Sequence, residues 1–136
     1  MKVRVNLTQE QINEIHSLLC GREISKEMVE DRVNTFIIAT RLRKIRLERN
    51  ASMADVTAKT SITSSALDHV EAHRRKPSSA MLVSLTGFYG ITIEELMREA
   101  MPEEIENVIL FFRDEKQRKE LLDKEVMEKE KSFDEE

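Results

Sequence analysis

The chain has 136 residues, 40% of them hydrophobic and 35% charged, which allows one domain with an extension but not two full domains. Three glycines, two prolines and 4% aromatic residues favour an all-helical protein with an aliphatic core. One cysteine excludes an intramolecular disulfide, and no run of about 18 apolar residues could span a bilayer, so we expect a cytoplasmic protein without a membrane partner.

The net charge of −4 is unevenly distributed along the chain. Residues 40–76 carry nine Lys and Arg against four Asp and Glu, whereas residues 77–136 carry eight against sixteen. Phosphate contacts are local, so a basic central segment is compatible with nucleic-acid binding despite the acidic total.

The N-terminal third predicts an extended arm and two helices. Residues 3–7 alternate apolar and polar side chains, which is typical of an extended segment. Residues 8–20 predict a helix, because Thr8 and Gln11 have the spacing of a capping box. A second helix begins near Ser25, and the sequence leaves open whether it ends or runs into the next helix.

Residues 36–97 predict a series of short amphipathic helices with brief connections. Two of them, over residues 52–60 and 63–72, begin at the N-cap residues Ser52 and Thr63. Two short helices joined by a tight turn form a helix-turn-helix, whose second helix can enter the major groove of DNA.

The last segment predicts one long helix that begins with Pro102 at its first position. Four acid-to-base pairs at i, i+4 support its continuity across a wholly polar stretch. The apolar patch that precedes this stretch is the predicted dimerisation face, with packing onto the chain's own core as an equal alternative. Its members are Ile105, Val108, Ile109, Phe111 and Phe112.

A consistent set of residues runs through the central segment without a gap. It comprises Leu42, Ile45 and Arg46, then Ser52 and Val56, Ile62, Leu67, Val70 and Glu71, then Arg74, Arg75 and Pro77, Leu82 and Leu85, and the stretch from Gly90 to Leu96. With this set, residues 36–97 resemble the Cro/repressor-type (xenobiotic-response-element) helix-turn-helix family of DNA-binding transcriptional regulators. The resemblance implies an all-α protein with a five-helix core. Residues 1–35 would add an N-terminal helical hairpin, and residues 98–136 a long C-terminal helix with an acidic end.

The resemblance also implies which residues contact DNA. They are Ser52, Met53, Thr63, Ser64, Ser65, Asp68, His69, Arg74, Arg75 and Lys76. It further implies a partly buried salt bridge between Arg46 and Glu71, since a carboxylate beside the core would be costly without a partner.

Four residues depart from the family pattern, and one of them is Thr57, which replaces the usual Ala. Met53 stands where the family usually has Gln, and Asp68 on the recognition helix would repel phosphate. Ser61 replaces the usual Gly of the turn, where a side chain at positive φ would cost about 1–2 kcal/mol.

These features predict a sequence-specific double-stranded DNA-binding transcriptional regulator, with repression favoured. A homodimer is expected, because one such module buries little surface on DNA. The alternative is a protein-interaction module on a degenerate helix-turn-helix scaffold, as in an antirepressor or antitoxin, whose C-terminal helix engages a protein partner. We expect no enzyme, because the sequence has no glycine-rich phosphate loop and no nucleophile paired with a base. We also expect no cofactor and no metal, since His16 and Cys20 supply only two ligands.

Overall fold

The computed structural model describes residues 2–19 and 25–134, and this part of the chain is all-helical, without a β-strand. Its seven helices are α1 (Gln9–Leu18), α2 (Lys26–Glu48), α3 (Met53–Lys59), α4 (Ser64–Glu71), α5 (Ser79–Tyr89), α6 (Ile93–Leu96) and α7 (Pro102–Asp134). The predicted all-α class is confirmed. The end of the helix predicted over residues 8–20 falls at Cys20, which lies outside the described residues.

Helix α2 is the central element, and it settles the question that the sequence left open. It starts at the N-cap Ser25 and continues without a break to Glu48, over 23 residues. The expected boundary at residue 35 therefore falls inside one helix. Helix α2 contacts α1 and α7 as well as α4, α5 and α6, so buried residues from all these elements share one hydrophobic core.

Hydroxyl side chains begin the short helices, as predicted for Thr8, Ser52 and Thr63. The side-chain oxygens of Thr8, Ser52, Thr63 and Thr92 each accept a hydrogen bond from the backbone N–H three residues later. These bonds satisfy N–H groups that have no partner within the helix, which contributes roughly 1 kcal/mol per cap.

Left-handed residues end three of the helices. Asn50, His73 and Gly90 have φ angles of 53°, 62° and 70° and follow α2, α4 and α5. Asn50 and His73 are the only described residues with a side chain that adopt positive φ. The strain expected at Ser61 is therefore absent, because the turn between α3 and α4 follows a different backbone path: Thr60 is extended there, at φ −127° and ψ 167°.

The N-terminal arm is non-helical and attached to the helices by hydrogen bonds. The backbone of Val3 donates to and accepts from the side-chain amide of Asn34 on α2. The carbonyl of Arg4 accepts from the N–H of Ala100 at 2.9 Å. The buried Val3 side chain thus joins the core between α2 and the segment that leads into α7.

Helix α7 is one continuous helix of 33 residues, and its two halves have different environments. In the first half, Ile105, Val108, Ile109 and Phe112 are at most 7% exposed, and α7 packs on α1 and α2. These residues, with the half-buried Phe111, were the predicted dimerisation face. They are part of the chain's own core instead, because α1 and α2 already cover them. In the described residues, no helix has a stretch long and apolar enough to cross a membrane.

Candidate nucleic-acid interface

Helices α3 and α4 form the candidate interface, joined by a short turn over residues 60–63. The Thr60 hydroxyl donates to the carbonyl of Val56 at 2.8 Å and accepts from the N–H of Ile62 at 3.3 Å. The side chain of Ile62 is buried in the core. Side-chain hydrogen bonds and an apolar anchor therefore hold this turn together without a glycine.

Arg46 and Glu71, for which the resemblance implies a salt bridge, form a bidentate pair between α2 and the last residue of α4. The Arg46 Nε lies 2.8 Å from Glu71 Oε2, and Nη2 lies 2.9 Å from Oε1. The remaining Arg46 nitrogen, Nη1, donates to the carbonyl of Ala51 at 2.9 Å. The hydrogen bonds that Arg46 donates to the Glu71 carboxylate raise the pKa of the guanidinium. Since both side chains are nearly buried, the pair fixes the end of α4 against α2.

The face of α4 opposite the core is polar and exposed. It carries Ser64, Ser65, Asp68 and His69, while Leu67 on the other side of the helix is buried. Within the described part of the chain, none of these four polar side chains has a hydrogen-bond or ion-pair partner. Ser64 and Ser65 stand in the first turn, at the positive end of the helix dipole, which favours an approaching phosphate.

Three residues that the resemblance assigns to DNA contact already take part in the fold. The oxygens of Ser52 and Thr63 cap α3 and α4, although each hydroxyl keeps its proton to donate to a phosphate. Met53 is half-buried and packs against the hydrophobic core. The structure therefore gives Met53 a packing role at the edge of the interface.

His73 anchors the loop that follows α4. Its left-handed backbone turns the imidazole back onto α2, where it stacks on Phe36 with ring centroids 4.1 Å apart. Phe111 of α7 contacts the same imidazole edge-on at 5.1 Å. Burial, assisted by the charge of Arg43, lowers the pKa of His73, which favours the neutral imidazole at neutral pH.

The basic side chains of this loop point away from the core. Arg74 and Arg75 are exposed, and neither has an ion-pair partner in the described residues. Lys76 is exposed as well, but its Nζ lies 2.8 Å from Asp31 Oδ1 on α2. Since both members of this pair are well exposed, the contact is weak and a phosphate could replace it. Two of the three predicted basic residues are therefore free cations next to the exposed face of α4.

Two arginines of α2 have roles that the sequence reasoning did not predict. Arg43 is exposed, and its charge acts on His73, so it adds a further cation beside the loop. In the sequence, this role was indicated only by the position of Arg43 within the basic segment 40–76. Arg41 is 5% exposed and holds the start of α7 by hydrogen bonds to Glu104 and to the carbonyls of residues 96, 98 and 99. No local pattern indicated this contact.

None of the protein-family models, curated proteins or solved structures compared with the chain matches it.

Proposed function

We propose that the chain binds double-stranded DNA through α3, α4 and the loop after α4, and that it acts as a sequence-specific transcriptional repressor of the Cro/repressor type. The observation that carries this proposal is the exposed polar face of α4, with two free arginines directly after it. Short polar side chains can donate to and accept from base edges in the major groove, and arginines contact the phosphates beside it.

The way in which this face is held also supports the proposal. Reading bases requires a rigid helix, because small displacements break hydrogen bonds to base edges. The Arg46–Glu71 pair fixes one end of α4, and the stacking of His73 on Phe36 fixes the loop beyond it. In this arrangement Ser64, Ser65, Asp68 and His69 read bases, with Asp68 accepting from the exocyclic amine of a cytosine.

Titration of labelled DNA at several salt concentrations tests this proposal. Changing Arg74 and Arg75 together to Ala should weaken binding to all sequences to a similar degree. It should also lower the slope of log affinity against log salt concentration by up to about 2, because two phosphate contacts are lost. Fluorescence anisotropy on a mixed-sequence duplex and on a selected site measures both quantities.

The matched control changes Arg98 and Lys26 to Ala, which removes the same charge from exposed positions outside α3, α4 and the loop. Its slope should equal that of the wild type. An unchanged slope in the Arg74 and Arg75 variant, or an equal fall in the control, would contradict a phosphate contact by this loop.

A second candidate function is a protein-interaction module on a degenerate helix-turn-helix scaffold. Two observations favour it. Asp68 lies on the exposed face of α4, where its carboxylate repels phosphate. Met53 packs against the hydrophobic core and offers DNA no hydrogen bond. In that case the wild type shows no salt-dependent binding to mixed DNA in the same titration.

A further inference from the structure

The second half of α7 exposes a group of large apolar side chains. Leu121, Leu122, Val126 and Met127 are between 55% and 66% exposed, on a helix segment that is otherwise mostly charged. Among the described helices, α7 packs on α1 and α2, and Phe111 also contacts His73 in the loop after α4. All these contacts come from the first half of α7. A cluster of exposed apolar residues on a projecting helix is typical of a surface that a partner covers.

The apolar residues that pack against the core in the first half of α7 belong to a stripe that continues along the same side of the second half. Ile105, Val108 and Phe112 are buried at alternating intervals of three and four residues. The same alternation, continued through two charged positions, reaches Leu122 and Val126. One stripe of α7 is thus buried within the chain at its start and open to a second helix at its end.

A groove lies beside this stripe, between the end of α1, α2 and the middle of α7. Its volume is about 510 Å³. Its apolar lining consists of Leu18, Leu19, Phe112 and Leu122, so that Leu122 stands at the border between the groove and the exposed segment. Its basic lining includes Arg32, Arg118 and Lys119. Four basic side chains and one carboxylate line it in all, so the groove is both apolar and positively charged.

The exposed segment of α7 has the complementary character. Residues 120–128 carry four acidic side chains and one basic side chain, together with the four exposed apolar residues. Residues 113–119, which border the groove, carry four basic and two acidic side chains. The helix is therefore basic where the groove lies and acidic beyond it.

We propose that two copies of this chain associate through α7 as an antiparallel helix pair. The segment 120–128 of each copy docks into the groove of the other. In an antiparallel two-fold arrangement each copy makes the same contact, so the apolar contact and the attraction between acidic and basic segments each occur twice. A parallel pair would place the basic segments together and the acidic segments together. This contact involves neither α3 nor α4, so it does not rest on DNA binding.

Sedimentation of the 136-residue chain tests the apolar part of the contact. The wild type should be a dimer at micromolar concentration. Changing Leu122 and Val126 together to Gln should raise the dissociation constant at least about a hundredfold, because two apolar side chains per copy lose their burial. Gln preserves the helix, and the thermal midpoint of the monomer should not change, since both positions are solvent-exposed within one copy.

The matched control changes Leu47 and Val83 to Gln, at positions 54% and 60% exposed on α2 and α5. It should sediment as the wild type does. A monomeric wild type at the highest concentration reached, or an equal loss in the control, would overturn the proposal.

A charge exchange tests the antiparallel direction. Arg118 and Glu125 are seven residues apart, two turns along the same edge of α7, so they do not contact each other within one copy. Arg118→Glu and Glu125→Arg should each raise the dissociation constant by about tenfold, because each places like charges across the pair. The double variant should return to within about threefold of the wild type, because the attraction is restored with reversed signs. Additive losses in the double variant would exclude the antiparallel pair.

Discussion

Two arginine–glutamate pairs join α2 to the rest of the molecule, and they differ in their surroundings. Arg46 and Glu71 have side chains 11% and 4% exposed, and their bidentate contact leaves Arg46 one further acceptor, the carbonyl of Ala51. The Arg41 side chain is 5% exposed, but Glu104 is 21% exposed, and Arg41 has three backbone carbonyls as additional acceptors.

This difference determines what each glutamate contributes. Arg46 depends mainly on Glu71 for compensation of its buried charge. Arg41 also donates to three backbone carbonyls. If Glu104 were removed, these carbonyls would still stabilise the Arg41 charge, whereas Arg46 without Glu71 would keep one carbonyl. A buried ion pair is costly to break when one partner holds most of the compensation. The loss of stability on removing each glutamate therefore depends on the other hydrogen-bond acceptors of its arginine as well as on burial.

The largest effect is expected at Glu71. Glu71→Ala should lower the free energy of unfolding by about 3–5 kcal/mol, because it leaves a buried guanidinium with one neutral acceptor. Chemical denaturation at neutral pH measures it. Replacing both partners, with Arg46→Met and Glu71→Leu, should cost clearly less, because no uncompensated charge remains. A loss below about 0.5 kcal/mol for Glu71→Ala would mean that the two residues act as independent surface charges.

A smaller effect is expected at Glu104. Glu104→Ala should cost about 1–2 kcal/mol, because Arg41 keeps its carbonyl acceptors and one end of the pair is reached by water. The same denaturation experiment compares the two variants directly. If Glu104→Ala cost as much as Glu71→Ala, the carbonyl contacts of Arg41 would contribute nothing to its compensation. Glu103→Ala, one position earlier on the exposed side of α7, is the control and should be close to neutral.

The smallest effect is a pH dependence at Glu104. The hydrogen bond from Arg41 lowers the pKa of this carboxyl below the ordinary value of 4.5. Above that value the carboxylate is ionised in both states and its stabilisation is complete, and it is lost as the pH falls below about 4.5 toward the folded-state pKa. Glu104→Gln should therefore lose less stability than the wild type between about pH 5 and pH 3 in urea denaturation. Equal slopes in both proteins would show that Glu104 does not titrate with folding.

The helices and their starting points could be predicted because their causes are local. Thr8, Ser52 and Thr63 begin helices through hydrogen bonds to residues three positions away, and such spacing is visible in one sequence. The Arg46–Glu71 pair could be predicted only through the resemblance, since 25 residues separate its partners.

Other features depended on how the helices pack. The sequence shows a patch of large apolar residues over residues 105–112, and such a patch suits an intermolecular face and an internal one equally well. The structure places α1 and α2 over it, so Ile109 and Phe112 became core residues. The expectation of backbone strain at Ser61 was also wrong. Ser61 does not adopt a positive φ, because the preceding residue, Thr60, is extended and the turn follows another path.

By itself, the sequence determined the all-helical class, the N-caps and the continuity of α7, because periodicity and capping act within a few residues. Only the tertiary structure decided that α2 is one unbroken helix from Lys26 to Glu48. It also decided that His73 stacks on Phe36 and that Arg41 binds Glu104 at the start of α7. These contacts join residues far apart in the chain, and their free energy arises from burial that exists only once the helices have packed.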